Sequence, residues 1–144
     1  MAGKGMIVIG CGRLGSDIAS RSSEQGKSVT VIDNFPESFE RLSDAFSGYK
    51  VLGSAANIKT LLDAGIDKAN EIVITTGDDN LNLFLAFLSS EIYKIPLVYV
   101  RFDDPDKAAL VAGHDIRAIY PFELSRNKFY ELKREEEEDE EEVE

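Results

Sequence analysis

Met6-Ile7-Val8-Ile9-Gly10-Cys11-Gly12-Arg13-Leu14-Gly15 joins a short apolar run, rich in β-branched residues, to three closely spaced glycines. The run has the length of a strand buried on both faces, and helical spacing begins at Leu14, so the glycines occupy a strand-to-helix turn. Gly10 suits the tight turn, Gly12 lets a phosphate approach backbone with no Cβ in the way, and Gly15 lets the helix pack closely on the strand. The helix start also offers unpaired N–H groups and a partial positive charge to that phosphate. Three glycines in six residues also occur in ordinary turns that bind nothing. A second element is needed, and Asp33 supplies it. It ends the next apolar run, 18 residues beyond Gly15, where an acid can accept hydrogen bonds from both ribose hydroxyls and repel a 2′-phosphate. The alternative for Asp33 is a cap on a helix beginning near Pro36, a role its neighbour Asn34 could share.

Outward from this turn, Ser28 to Asp33, Tyr49 to Leu52, Glu71 to Thr76 and Pro96 to Phe102 are further strands expected to be buried on both faces, with Ile116 to Tyr120 a sixth. Between them lie stretches of helical length: Leu14 to Gln25, Pro36 to Phe46, Ile58 to Ala64, Asn80 to Tyr93 and Pro105 to Ala112. Gly26, Gly48, Gly65 and Gly113 each fall where a helix should close. Strict alternation of strand and helix with short links predicts an α/β domain with a doubly wound, six-stranded parallel sheet, Rossmann-like and single. The expected strand order is 3-2-1-4-5-6, with a ligand cleft between strands one and four.

The 144 residues, 43% hydrophobic and 30% charged, suit one soluble globular domain. No apolar stretch approaches the roughly 18 to 20 residues a membrane helix needs. Met1 to Met6 lacks the basic start and apolar middle of a signal peptide. The single Cys11 excludes an internal disulfide and a multi-cysteine metal site, so no metal is expected. Of the net charge of −11, Glu131 to Glu144 carries −8, from 10 acids and 2 bases, leaving −3 on the rest. The division expected is residues 1–122 as the nucleotide-binding body and residues 123–144 as a C-terminal helix and acidic tail, solvated and frayed. No basic cluster is visible, so nucleic acid is not an expected partner.

Catalysis finds little support. His114 is the only histidine, and its place between Gly113 and Asp115 suits a loop or capping residue better than a general base. Hydride transfer needs a substrate pocket and a positioned acid or base. No tyrosine has lysine four positions on, and no G-x-x-x-x-G-K-[ST] phosphate loop occurs.

Several ordered segments together resemble the KTN/RCK family, the TrkA-type N-terminal domains that regulate potassium transporters and channels. They are Gly10 to Gly15, Val31-Ile32-Asp33, Val51-Leu52-Gly53-Ser54-Ala55-Ala56 and Leu62 to Ala69. Thr76-Gly77-Asp78-Asp79-Asn80-Leu81-Asn82, Val100-Arg101-Phe102-Asp103-Asp104-Pro105 and Gly113 to Pro121 complete the match. The resemblance implies a binding module without catalytic residues, holding NAD, NADH, AMP, ADP or ATP across the strand ends. It implies contacts from Gly10, Cys11, Gly12, Arg13, Leu14 and Gly15 near the phosphates, from Asp33 and Asn34 at the ribose, from Ser54 and Ala55 near the adenine, and from Thr76 and Gly77 across the cleft. Ser54 stands where the family usually has Asp, so a short neutral hydroxyl replaces a carboxylate acceptor. Arg13 has an alternative as an exposed first-turn side chain, and Thr76 and Gly77 as a simple strand-ending turn.

The function expected on this resemblance is a cytoplasmic regulatory subunit of a potassium uptake system or channel, reaching the inner face of the membrane through a separate pore-forming chain. Ligand binding would switch subunit geometry. A homodimer or larger ring is expected, with the apolar helix Leu81, Leu83, Phe84, Leu85, Phe87 and Leu88 as its contact face. The runner-up is an NAD-dependent oxidoreductase or a fragment of one; an orphan nucleotide sensor is a third reading.

Overall fold

The computed structural model describes residues 5–143; Met1 to Lys4, the start of the segment tested for a leader, and Glu144, the tail's last residue, lie outside it. Six strands, β1 (Met6–Ile9), β2 (Val29–Asp33), β3 (Tyr49–Leu52), β4 (Glu71–Ile74), β5 (Leu97–Arg101) and β6 (Arg117–Ile119), form one sheet. The helices are α1 (Arg13–Glu24), α2 (Ile58–Asp63), α3 (Asp79–Phe87), α4 (Ala108–Val111) and α5 (Pro121–Val143). The strand order is β3-β2-β1-β4-β5-β6, every pairing is parallel, and the order reverses beside β1 as expected.

Both faces of the central strands are apolar. Met6 and Val8 of β1 join Val29, Val31 and Val73 under α1, while Ile7 and Ile9 join Ile72, Ile74, Val98 and Leu85 on the other face. Burial on two sides explains why β1 reads as an unbroken apolar run rather than as an alternating one. The same expectation fails for β3. It is the sheet's edge, and Tyr49 and Leu52 are exposed.

The expected helix Pro36 to Phe46 is instead a short 3-10 turn, Pro36–Arg41, that ends where Leu42 turns extended. The reason lies on α1. Ser20 Oγ accepts the Ser43 N–H and Ser23 Oγ accepts the Ser47 N–H, each at 3.0 Å, so serine hydroxyls take backbone donors that a helix would have used. Gly48 therefore closes no helix. Its role is close approach, since a Cβ there would sit 2.2 Å from the Val29 carbonyl oxygen. The Asn80 to Tyr93 stretch divides into α3 and a wider π turn, Leu88–Ile92, and Pro105 to Ala112 into a 3-10 turn followed by α4. At the C-terminus α5 starts at Pro121, runs unbroken through Val143, and buries no residue. Glutamate is a strong helix former, and the helix expected near Glu123 extends through the acidic tail.

Candidate functional site

A cleft of about 520 Å³ opens at the C-terminal ends of the strands, where the sheet order reverses. Its floor and near wall come from the β1–α1 turn. Gly10 has φ +97°, and a Cβ on it would lie 2.8 Å from the Thr75 carbonyl oxygen; a Cβ on Gly15 would lie 1.8 Å from the Gly10 carbonyl oxygen. Both glycines are demanded by the fold itself. Gly12 differs, because a Cβ built there meets nothing within 4 Å. It has ordinary negative φ and caps α1 without a side-chain hydrogen bond. The first intrahelical bond shown there runs from Ser16 N–H to Gly12 O at 2.9 Å, so the N–H groups of the preceding turn have no helical acceptor.

Asp33 is held from two directions. Its Oδ2 accepts the Cys11 N–H and its Oδ1 accepts the Phe35 N–H, both at 2.8 Å. The first bond ties β2 to the glycine turn, and the second makes a local turn ahead of Pro36. A carboxylate has about four acceptor positions, so lone pairs remain on both oxygens. The capping alternative is thus met only in part: Asp33 orders the turn before the 3-10 segment, whose own N-cap is Phe35.

Of the residues singled out from the sequence, Gly10, Gly12, Arg13, Asp33, Asn34, Ser54, Ala55, Thr76 and Gly77 line one cleft. Cys11, Leu14 and Gly15 do not. Cys11 is fully buried beneath the turn, where burial and then the Asp33 charge push its thiol above the usual value despite opposing Arg41 and Lys50. Its backbone N–H contributes through Asp33. Leu14 is half-buried, and Gly15 is the contact between α1 and the turn. Ser54 Oγ accepts the Ala56 N–H at 3.2 Å.

Thr76 and Gly77 were expected on the far wall, but the bonds that hold it were not foreseen. Asn82 is fully buried; its Nδ2 donates to the carbonyl oxygens of Thr76 and Arg101 at 3.0 and 2.9 Å, and its Oδ1 accepts from Thr76 Oγ1. The Arg101 guanidinium donates to the carbonyl oxygens of Thr75 and Thr76 and lines the cleft. Asp78 caps α3 by accepting from Asn80 and Leu81, while Asp79 accepts the N–H groups of Asp103 and Asp104 at 2.9 and 2.8 Å. Phe35, Ser38, Thr75 and Leu81, with Ile9, Ile32 and Gly53, are further lining residues that sequence reasoning missed.

A sheet wound both ways from β1, with a glycine turn and an oriented carboxylate converging at its switch point, defines a Rossmann-like α/β module. The model of the TrkA-N domain matches residues 6–120, and the chain belongs to that family, the KTN/RCK domains. It is 37% identical to the Trk system potassium uptake protein TrkA of Streptomyces coelicolor, over 72% of this chain and 46% of that protein. The RCK domain of GsuK superposes with a TM-score of 0.75 at 25% identity, over 95% of this chain and 29% of the other. A crystal structure of GsuK bound to ADP superposes with a TM-score of 0.73, also at 25% identity, over 90% of this chain and 33% of the other. The chain spans about half the length of the curated relatives it matches, 46% of the Streptomyces coelicolor protein. Among the described residues no helix is long and apolar enough to cross a membrane.

Proposed function

We propose that this chain is a nucleotide-binding regulatory unit of a potassium uptake system or channel, acting from the cytoplasmic side on a separate membrane subunit. The cleft takes an adenine nucleotide: NAD, NADH or an adenine mononucleotide. The observation that carries this reading is the pairing of an oriented Asp33 carboxylate with the open surface over Gly12. Phosphates lie on the N–H groups at the α1 start, where Arg13 can bridge two oxygens, and the ribose hydroxyls donate to Asp33. The ADP bound by GsuK and the potassium uptake role in the relatives' names support it.

Binding without catalysis is part of the proposal. Asp33 orders the turn, Asp78 caps α3 and Arg101 clamps two carbonyls, so three of the charged groups lining the cleft hold backbone, and the fourth, Arg13, is a cation suited to phosphate and not to proton transfer. A ligand regulates by preferring one of two subunit arrangements, which requires assembly. Phe84 of α3 and Ile92 at the end of the π turn that follows are 54% and 67% exposed, apolar surface suited to a symmetric dimer. Phe87, by contrast, is half-buried with its ring against His114, so Phe84→Glu is the better probe of assembly in sedimentation.

Calorimetry of the full chain against NAD, NADH, NADP, AMP, ADP and ATP tests the binding claim. Saturable binding of at least one adenine nucleotide is expected, with NADP weaker than NAD. Heats indistinguishable from dilution for all of them at millimolar concentration would remove it.

A further inference from the structure

We propose that Phe35 is the base-stacking residue of the cleft, the side chain that sets affinity for the nucleobase; this rests on the nucleotide reading above. Among the residues lining the cleft it is the only aromatic one. It is also 61% exposed, so its ring keeps most of its apolar surface in water and adds little to the core. Its place in the lining of the cleft puts that free ring where a bound base can stack on it.

The backbone beneath that ring is fixed. The Phe35 N–H donates to Asp33 Oδ1 at 2.8 Å, and the residue precedes Pro36 in extended conformation, φ −116° and ψ 117°, as the proline requires. The ring is therefore anchored two residues from the carboxylate that orients the ribose. With phosphates over the glycine turn and ribose at Asp33, the base falls next, on the β3 side of the cleft. Gly53, Ser54 and Ala55 line that side, brought alongside by the Gly53 N–H donating to the Asp33 carbonyl oxygen at 3.0 Å. None of these three has a π face. Phe35 also lines a shallow recess with Glu37, Ser38, Glu40 and Arg41, so with Ser38 it borders both that recess and the cleft.

Stacking on an aromatic ring tolerates any base. Phe35 thus sets how tightly a base is held and leaves the choice of base to hydrogen bonding near Ser54.

The chain contains no tryptophan, which makes Phe35→Trp a single reporter at the position in question. Phe35→Ala in the full chain is expected to weaken ADP and NAD by roughly tenfold with Tm unchanged, because the ring is exposed. Phe35→Tyr and Phe35→Trp should retain affinity, and the Phe35→Trp fluorescence should change when saturating ADP is added. Wild-type affinity in Phe35→Ala, or fluorescence unmoved by ADP that calorimetry shows to be bound, overturns the stacking role and leaves the nucleotide reading intact. A wild-type chain that binds none of NAD, NADH, AMP, ADP and ATP overturns both.

Discussion

The two walls of the cleft use their polar groups in opposite ways. On the β4–β5 side, Thr75, Thr76, Asn82 and Arg101 bond to one another's backbone and side chains, and the wall is a closed knot. On the β1–β2 side, the α1 start has N–H groups without helical acceptors, Gly12 has open space above it, and Asp33 has acceptor positions left over. One wall is shape and the other is chemistry. Stability and binding should therefore come apart along this line, with substitutions in the knot costing fold and substitutions at the open wall costing ligand.

The sharpest test lies within the glycine turn, where a single motif serves both ends. Gly15→Ala places a Cβ 1.8 Å from a carbonyl oxygen, and backbone cannot yield as a flexible side chain would; a loss of about 3 kcal/mol in urea unfolding is expected. A Gly15→Ala chain with wild-type stability would mean that the turn is not held as described. Next is Asn82→Ala, which strips a donor from each of the part-buried Thr76 and Arg101 carbonyls, the first of which keeps its bond from Arg101, and an acceptor from Thr76 Oγ1, for about 2 kcal/mol in the same measurement. It should alter nucleotide affinity only as far as the wall relaxes, so affinity lost with stability unchanged would contradict the contrast between walls.

Asp33→Ala belongs to both sides of the contrast. It frees the N–H groups of Cys11 and Phe35; Phe35 is exposed and its N–H finds water, while Cys11 is fully buried, so the change should cost about 1 to 2 kcal/mol. Its larger effect should be on ligands: weaker NAD and a narrower gap between NAD and NADP in calorimetry. An unchanged preference would show that the carboxylate serves the turn alone. Gly12→Val inverts the pattern of Gly15. The position has room and negative φ, so stability should shift by less than about 0.5 kcal/mol, while the branched side chain fills the phosphate position and abolishes binding. Unaltered affinity in the folded variant would place the phosphates elsewhere.

The sheet order and the open wall were legible because both rest on local signals: buried strands read as apolar runs, and glycines with one acid at a set distance mark the turn. The knot was not. Asn82, Asp79 and Arg101 sit in segments whose family likeness was visible, but what each bonds to depends on the ends of β4 and β5 meeting, which is tertiary information. The same holds for the Pro36 to Phe46 stretch. Its composition permits a helix, and only the hydroxyls of Ser20 and Ser23, more than 20 residues away, show why it is none. Phe35 was obscured by its neighbour, since a residue before Pro36 reads as the approach to a helix and not as part of a cleft. The exposure of β3 follows from being last in the sheet, and nothing local distinguishes an edge strand from a central one of like composition.

The smallest expected effect comes from removing α5 beyond Tyr130, and it bears on whether the charge of the tail belongs to the site. Every residue from Glu131 to Val143 is exposed, and α5 buries no side chain anywhere along its length, so no core contact is lost and Tm should not move. The deleted segment carries −8 of the −11 net charge. An anionic nucleotide would feel that charge only within about a Debye length, about 8 Å at physiological salt. If the tail stands apart from the cleft, affinity for ADP or NAD in the truncated chain should match the full chain at that salt, and at low salt it should rise slightly as long-range repulsion is relieved. The direction is the informative part. A truncated chain that keeps its Tm but binds nucleotide more weakly would make the acidic helix a contributor to the open wall, and would set the boundary of the site beyond the sheet.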